Sequence, residues 1–201
     1  MTLEGVTIEE EQPLGLTEYA RVPIGFSVTE VFDDRGIEAL LQGRPAQPVR
    51  VRVPYWKDYD RYPGGRPTDW PARFDMSRWT ILAAYREARR IGGVVLIVDA
   101  SQTDLVGDCP AGAVIWDLRV VPDARGQGVG SALLRAAERR AERLGARTIC
   151  VETQNVNVPA CRVYQRNGYV LERATHGAYA ELPDEVQMIW RKPLGATGPS
   201  D

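Results

Sequence analysis

The segment Arg125-Gly-Gln-Gly-Val-Gly130 combines residue types and a spacing that suit the binding of an anion. It lies between an apolar run ending at Val121 and an amphipathic stretch beginning at Gly130. Glycines let the backbone approach a ligand closely, and the first N–H groups of a helix point outward at the positive end of its dipole. The segment therefore predicts a cradle for a pyrophosphate, with Arg125 beside it. A plain turn before a helix is the alternative, and the third glycine comes one residue too early for a G-x-G-x-x-G dinucleotide site.

Several other chemistries are excluded by what the chain contains. There is one histidine, His176, so a histidine-rich metal site is excluded and a catalytic triad would rest on that residue alone. The three cysteines are odd in number and include no C-x-x-C pair, which predicts neither a disulfide framework nor a zinc site. No G-x-x-x-x-G-K-[ST] segment is present, which excludes a P-loop nucleotidase. We therefore expect chemistry without histidine and without a metal.

Composition favours a single soluble domain. The chain has 201 residues, of which 44% are hydrophobic and 26% are charged. Its 25 Lys and Arg against 27 Asp and Glu give a net charge of -2, which argues against a nucleic-acid partner. No apolar run approaches the ~20 residues of a membrane span, and the first residues carry neither a basic nor an apolar leader region. With the cysteine usage, these features predict a cytoplasmic protein without membrane contact.

The first half of the chain predicts a mixture of strands, one helix and a long loop. Strands are expected at 26–32 and, with strict alternation, at 49–53, and a helix at 33–42. The aromatic, Pro-rich and Gly-rich stretch 55–71 predicts an irregular surface loop. Apolar runs at 79–85 and 93–98 predict an antiparallel hairpin. Residues 1–20 are predicted to be loosely ordered.

The second half has a clearer pattern of alternating strands and helices. Strands are expected at 113–121, 148–152, 169–173 and 186–190, and a helix at 130–144 with Gly145 beyond its end. A second helix is predicted from Asn157, its N-cap, to Gly168, with Pro159 in the first turn. Residues 195–201 are predicted to form a disordered tail. The order predicts one mixed α/β domain over residues 1–194.

Three linked segments resemble the GNAT acyltransferase superfamily. The spacing R-x-x-G-x-G in 125–130 resembles its acetyl-CoA signature, and the run Leu118 to Pro122 lies where that family has a bulged strand. Downstream, the segment Glu152 to Tyr169 matches the strand, helix and strand that close on the pantetheine. The resemblance covers roughly residues 79–194. It implies a mostly antiparallel sheet with a central parallel pair splayed to admit acetyl-CoA, and helices on both faces.

A narrower resemblance points to one branch of that superfamily. The run Glu152-Thr-Gln-Asn-Val-Asn157-Val-Pro-Ala-Cys161 is similar to the streptothricin acetyltransferases, as are Thr29-Glu-Val-Phe-Asp33 and the stretch 54–59. These enzymes acetylate a lysine-type amine of a cationic antibiotic. The loop 62–71 and an insertion at 101–111 depart from the branch, and they bear on the identity of the substrate.

The resemblance assigns acetyl-CoA as co-substrate and names the residues that would bind it. Backbone N–H groups on the bulged strand would bind the pantetheine and the thioester oxygen, and the glycine turn would bind the pyrophosphate. Asn157 would bind the pantetheine amide, although helix capping alone explains this residue as well. The cofactor-binding set is Leu118, Arg119, Val120, Arg125, Gly126, Gln127, Gly128, Val129, Gly130, Ser131 and Asn157.

Two residues are assigned catalytic roles by the same resemblance. Tyr164 would act as the acid that protonates the departing thiolate, and Glu152 as the base that takes a proton from the amine. A tyrosine at this helical spacing with Ala160 and Val163 is otherwise a core residue. A carboxylate at a strand end is otherwise a solvated group or a static partner of a cationic substrate.

The loop 55–71 suits a cationic acceptor, because it combines acidic residues with aromatic faces. Tyr55, Asp58 and Tyr59 are the candidate substrate residues. Alternatively the loop covers the core or forms the interface of a homodimer, where aromatic residues are also enriched.

The sequence therefore predicts an N-acetyltransferase that moves an acetyl group from acetyl-CoA to a primary amine of a small cationic acceptor of the streptothricin type, directly within a ternary complex. A protein or peptide N-acetyltransferase and a non-catalytic acetyl-CoA-binding regulatory module are the alternatives.

Overall fold

The computed structural model describes residues 5–11, 16–98 and 112–195. Nine strands and four helices follow one another along these ranges: β1 Val6–Glu11, α1 Leu16–Ala20, β2 Phe26–Val31, α2 Asp34–Leu41, β3 Val49–Lys57, β4 Trp79–Arg86, β5 Arg89–Val98, β6 Ala113–Val120, α3 Val129–Arg143, β7 Thr148–Gln154, α4 Val158–Arg166, β8 Val170–Thr175 and β9 Gln187–Pro193. Within these ranges no helix is long and apolar enough to cross a membrane.

Seven strands form one sheet in the order β1-β4-β5-β6-β7-β9-β8. Every neighbouring pair is antiparallel except β6 and β7, which run parallel at the centre. β2 and β3 form a separate antiparallel ribbon. The predicted mixed α/β class with one central parallel pair is confirmed. The single domain over residues 1–194 stays a prediction.

The parallel pair is short, and its two strands then separate. β6 pairs with β7 only from Ala113 to Ile115, opposite Ile149 to Val151, although β6 continues to Val120 and β7 to Gln154. On its other side β6 stays paired with β5, with a one-residue register shift that leaves Trp116 as the extra residue of a β-bulge. The predicted splay of the central strands is therefore present.

The two faces of the sheet are covered differently. Alternating residues of β4 and β5 face opposite sides. Leu82, Val94 and Leu96 belong to the large core beneath α3, whereas Ile81 and Val95 pack with α1 and the segment 67–76. The second core is rich in aromatic rings, which include Tyr19, Trp70, Trp79 and Trp116. Helical segments thus lie on both faces, as predicted.

Four expectations about local structure are corrected. The N-terminal segment contains an edge strand and a helix where loose order was predicted, since β1 pairs with β4 throughout its length. β3 extends to Lys57 and is mostly exposed, because it lies in a two-stranded ribbon outside the main sheet. Loop 55–71 contains two short 3-10 helices at Tyr59–Arg61 and Pro67–Ala72. The β4–β5 turn is shorter than predicted, because β5 begins at Arg89.

The cysteines differ in their bonding. Cys161 is a buried free thiol, whereas Cys150 is disulfide-bonded, a single bond that the prediction of no disulfide framework did not anticipate. The insertion at 101–111, with Cys109, and the tail from 196 onward lie outside the described residues.

A buried arginine on β6 joins three parts of the chain. Arg119 is 2% exposed and donates two hydrogen bonds to Asp117 at 2.8 and 2.7 Å and two to Asp60, each at 3.2 Å. It also donates to the carbonyl of Val22 at 3.1 Å and lies over the ring of Tyr19. The cation therefore fixes both the segment after α1 and the 3-10 helix Tyr59–Arg61 to the central strand.

We expect Arg119→Leu to lower the free energy of unfolding by about 3–5 kcal/mol, because it leaves buried carboxylates without their cation. Urea denaturation followed by circular dichroism at pH 7 measures this loss. The control is Arg89→Leu, which breaks an equally bidentate but exposed pair with Asp123 and should leave stability nearly unchanged. Similar losses in both variants would contradict the role given to the buried cluster.

Candidate functional site

The separation of β6 from β7 leaves a row of backbone groups on β6 that no strand of the described ranges pairs with on that side. The N–H of Val121 donates to Ile91 on the β5 side at 2.9 Å. Because successive residues of a strand point their N–H groups to opposite edges, Arg119 also faces β5, while Leu118 and Val120 face the gap. Of the three predicted N–H donors, Leu118 and Val120 are thus oriented toward β7, and the side chain of Arg119 belongs to the buried cluster.

The glycine turn leads from this edge into the start of α3. Gly126 and Gly128 have φ values of 75° and 90°, a region that glycine adopts without strain. Gly128 is the N-cap of α3, no side chain among the described residues caps the helix, and its first turn contains no acidic residue. The first N–H groups of α3, at Val129, Gly130 and Ser131, therefore form a positive helix end suited to an anion.

The side chain of Arg125 makes contacts within the protein that the sequence did not predict. Its guanidinium donates to the carbonyls of Val120 at 2.8 Å, Gly25 at 2.9 Å and Pro23 at 2.9 Å. Partial burial lowers the pKa of this guanidinium. Arg125 thus fastens the glycine turn to the segment before β2, and contact with a phosphate stays a prediction.

Two further residues of the turn are held by neighbouring side chains. Gln127 donates to the carbonyl of Asp123 at 2.6 Å and accepts from Arg86 at 2.9 Å. The hydroxyl of Ser131 accepts from Asn167 at 2.8 Å, which joins the start of α3 to the end of α4. These contacts fix the shape of the turn.

Glu152 lies on β7, beyond the last residue paired with β6. Its Oε1 accepts a hydrogen bond from the hydroxyl of Tyr179 at 2.7 Å, and its Oε2 accepts from Gln187 at 2.8 Å. Burial raises the pKa of this carboxyl above its usual range, while the two hydrogen bonds and the charge of Arg173 act in the opposite direction. A raised pKa makes this carboxylate a stronger proton acceptor than an ordinary exposed carboxylate.

Tyr164 lies in α4 and is buried. Its ring packs beside those of Tyr169 and Trp190, with centroids 5.9 and 6.1 Å away. Burial raises the pKa of the phenol well above its ordinary value, so the hydroxyl keeps its proton throughout the physiological range. The same residue can therefore be a core tyrosine and a protonated donor.

Asn157 caps α4, as the sequence predicted, and it also contacts a residue of loop 55–71. Its Oδ1 accepts from the N–H of Ala160 at 3.2 Å, and its Nδ2 donates to the hydroxyl of Tyr59 at 3.4 Å. Tyr59 in turn donates to Gln154. Burial raises the pKa of Tyr59.

The candidate substrate residues do not share one environment. Tyr59 has its hydroxyl within this polar network, and Asp58 caps the following 3-10 helix and pairs with Arg61 at 3.6 Å. Tyr55 is 43% exposed and is the most exposed of the three residues. Burial, with the negative charges of Glu185 and Asp184, raises the pKa of Tyr55. Acidic residues of the segment between β8 and β9 therefore lie near Tyr55.

Sequence reasoning missed the contribution of the segment between β8 and β9. Tyr179 contacts Glu152, and Glu185 forms an ion pair with Lys57, whose Nζ lies 2.5 and 2.6 Å from its two oxygens. Lys57 and Glu185 are 3% and 6% exposed, and the ammonium faces the rings of Tyr59 and Tyr62. The similarity of the stretch 54–59 to one enzyme branch was the available signal for Lys57, whereas no motif marked Tyr179.

The family follows from the match to known sequences. The sequence profile of the acetyltransferase (GNAT) family matches residues 50–169, which is more than half of the chain. The chain belongs to the GNAT acetyltransferase family. The predicted resemblance is therefore confirmed. The match includes residues 113–169, which contain the splayed strands, the glycine turn and α4.

Two curated GNAT relatives share shorter stretches with the chain. Streptothricin acetyltransferase A of Bacillus subtilis (strain 168) is 31% identical over 80 residues, which are 39% of this chain and 46% of the relative. Streptothricin acetyltransferase of Streptomyces lavendulae is 42% identical over 55 residues, which are 27% of this chain and 29% of that enzyme. The matched stretches thus span less than half the length of these relatives.

Solved GNAT structures agree with the fold over almost the whole chain. Nourseothricin acetyltransferase has a TM-score of 0.70 at 22% identity, with 95% of this chain and 99% of that chain covered. A Bacillus anthracis protein classed with the streptothricin acetyltransferases, in complex with acetyl coenzyme A, has a TM-score of 0.69 at 22% identity, with 94% and 99% covered. At this identity the likeness establishes the GNAT fold.

Proposed function

We propose that the protein is an acetyl-CoA-dependent N-acetyltransferase that acetylates a primary amine of a small cationic acceptor of the streptothricin type. The observation that carries the proposal is the alignment of three features along one gap: the N–H groups of Leu118 and Val120 that face it, the glycine-led start of α3, and Glu152 on the facing strand. Membership of the GNAT family and the names of the curated relatives support the same activity. We propose that it acts in the cytoplasm.

The donor side fits acetyl-CoA by its chemistry. A pyrophosphate needs N–H donors and the absence of negative charge, and the first turn of α3 supplies both. A pantetheine arm carries amides that pair with strand-edge groups, which Leu118 and Val120 present toward the gap. Asn157 contributes the polar start of α4. Acetyl-CoA supplies the activated acetyl group in this reaction.

The acceptor side fits a cation. Tyr55 offers an exposed aromatic face, and the carboxylates of Asp184 and Glu185 lie close enough to affect its pKa. Lys57 shows that an ammonium is stable in this region when it faces a carboxylate and two tyrosine rings. The curated relatives named above are streptothricin acetyltransferases, which supports an acceptor of that type.

The proposed mechanism divides proton handling between two residues. Glu152 takes a proton from the acceptor ammonium, and the free amine attacks the thioester carbon. N–H groups of Leu118 and Val120 stabilise the negative charge that develops on the carbonyl oxygen, a contribution of about 3 kcal/mol for one such donor. A C–N bond forms as the C–S bond breaks, and Tyr164 gives its proton to the leaving thiolate. The attacking nitrogen loses its second proton as the amide forms, and this proton returns through solvent to the phenolate of Tyr164.

The direct test is an acetyl-transfer assay that measures the free thiol of CoA with a panel of acceptors. Streptothricin, polyamines and lysine-containing peptides form the panel, and acetyl-CoA is the donor. We expect streptothricin to give the highest kcat/KM. If thiol is released with peptides alone, the acceptor is a peptide and not a small cation. Acetyl-CoA binding without thiol release in the presence of any acceptor would indicate a regulatory module.

Gly128→Leu should abolish acetyl-CoA binding measured by calorimetry, because its side chain would occupy the position of the anion at the helix start. The matched control is Gly145→Leu at the other end of α3, where φ is 87° and no atom lies within 4 Å of an added Cβ. Both variants carry the same kind of backbone strain. Unchanged affinity in Gly128→Leu, within a factor of two, would disprove the assigned cradle.

Tyr164→Phe and Glu152→Gln should fail in different ways. Tyr164→Phe keeps the ring and removes the donor, so kcat should fall by roughly 10²–10⁴-fold with little change in acetyl-CoA affinity. For wild type, kcat/KM should fall as the pH drops through the raised pKa of Glu152, because only the ionised carboxylate accepts a proton.

Glu152→Gln should lack this acidic limb, and its deficit should shrink at alkaline pH, where the amine loses its proton unaided. Rates across this pH range provide the measurement. A constant ratio of variant to wild-type rate would make Glu152 a substrate anchor, and a full kcat in Tyr164→Phe would make Tyr164 a core residue.

A further inference from the structure

The side-chain amide of Asn157 is held in one orientation by its helix. Its Oδ1 accepts from the N–H of Ala160, because Asn157 is the N-cap of α4. Its Nδ2 therefore faces away from the helix and donates to the hydroxyl oxygen of Tyr59. Since an amide nitrogen can only donate, Tyr59 accepts in this contact and its own proton is directed to another partner.

That partner is Gln154, which accepts from Tyr59 and donates in turn to Tyr179. The hydroxyl of Tyr59 donates to Oε1 of Gln154, and Nε2 of Gln154 donates to the hydroxyl of Tyr179 at 3.0 Å. An amide presents its acceptor on one side and its donors on the other, so fixing one side fixes both. The hydroxyl oxygen of Tyr179 thus accepts from Gln154, and its single proton is donated to Oε1 of Glu152, with 2.7 Å between the two oxygens.

We propose that Tyr179 is a positioning residue for Glu152, committed to donate to that carboxylate by a directional chain of hydrogen bonds that starts at the cap of α4. The chain holds the carboxylate in one orientation and in its ionised form, ready to take the proton of the acceptor amine. This inference rests on the proposed function, because it takes Glu152 as the base. Tyr179 acts through Glu152.

Glu152 faces groups from several elements. Gln187 of β9 donates to its second oxygen, and Arg173 of β8 favours the ionised form. Tyr179 comes from the segment between these strands, and beyond it Tyr59 lies under the influence of Glu185. Among the described residues, Tyr179 and Gln187 are the side chains that donate hydrogen bonds to the carboxylate. Because burial disfavours the charged carboxylate, loss of the Tyr179 donor leaves that penalty less compensated.

The test follows the titration of the Glu152 carboxyl by NMR on protein labelled with ¹³C at glutamate side chains, without acetyl-CoA or acceptor. The resonance is assigned by its loss in Glu152→Gln. In Tyr179→Phe we expect the midpoint to rise by about one pH unit, a tenfold change in proton affinity, because a hydrogen bond to the charged form is lost. The acidic limb of kcat/KM should move by the same amount.

Two more variants test whether the whole series of hydrogen bonds, and not only the contact of Tyr179 with Glu152, affects the titration. Tyr59→Phe removes the donor that orients Gln154, so the Glu152 midpoint should rise in the same direction by a smaller amount. Tyr85→Phe is the matched control, because it removes a tyrosine–glutamate hydrogen bond, to Glu11, at the other edge of the sheet. It should leave the Glu152 titration unchanged.

An unchanged midpoint in Tyr179→Phe overturns the proposal, and a shift there with none in Tyr59→Phe overturns the directional chain. The result also separates this inference from the proposed function. If the midpoints move as expected while wild type acetylates no amine of the panel, the function fails and the positioning of Glu152 stands. If wild type is active and the midpoints do not move, the positioning fails and the function stands.

Discussion

The structure depends on a constraint at the centre of its sheet: β6 and β7 pair over three residues and then separate. Backbone N–H and C=O groups at an open strand edge need partners, because leaving them buried and unpaired costs free energy. On β6, one such carbonyl, that of Val120, is bound by Arg125. The N–H groups of Leu118 and Val120 face the gap. The separation that interrupts the sheet therefore also supplies the polar lining that we assign to acetyl-CoA.

Two arginines connect this open edge to neighbouring segments of the chain. Arg119 points into the protein and pairs with Asp117 and Asp60, while Arg125 binds three carbonyls, two of them before β2. Both therefore connect β6 to segments near residues 22–25. A buried cation is costly unless it is paired and hydrogen-bonded, and Arg119 has five hydrogen bonds to two carboxylates and a carbonyl.

Local patterns carried the predictions that succeeded. Glycine spacing marked the turn and the start of α3, and Asn157 with Pro159 marked the start of α4, because these signals act within a few residues. β1 was missed, since its Glu-rich sequence lies at a sheet edge where only every other side chain is covered. The roles of Arg125 and Tyr59 were also beyond reach, because their partners lie about a hundred residues away. The residue types indicated what these side chains can bind, but they did not indicate which residues they contact.

The two sides of the gap are built from different parts of the chain. The groups assigned to the donor come from the continuous stretch 113–167, whereas the acceptor side joins residues 55–62 to residues 179–187. The Lys57–Glu185 ion pair closes that second unit across 128 positions of sequence. In evolutionary terms, the residues that we assign to the acceptor can change together and alter its identity, while the central stretch that we assign to the acetyl donor stays the same.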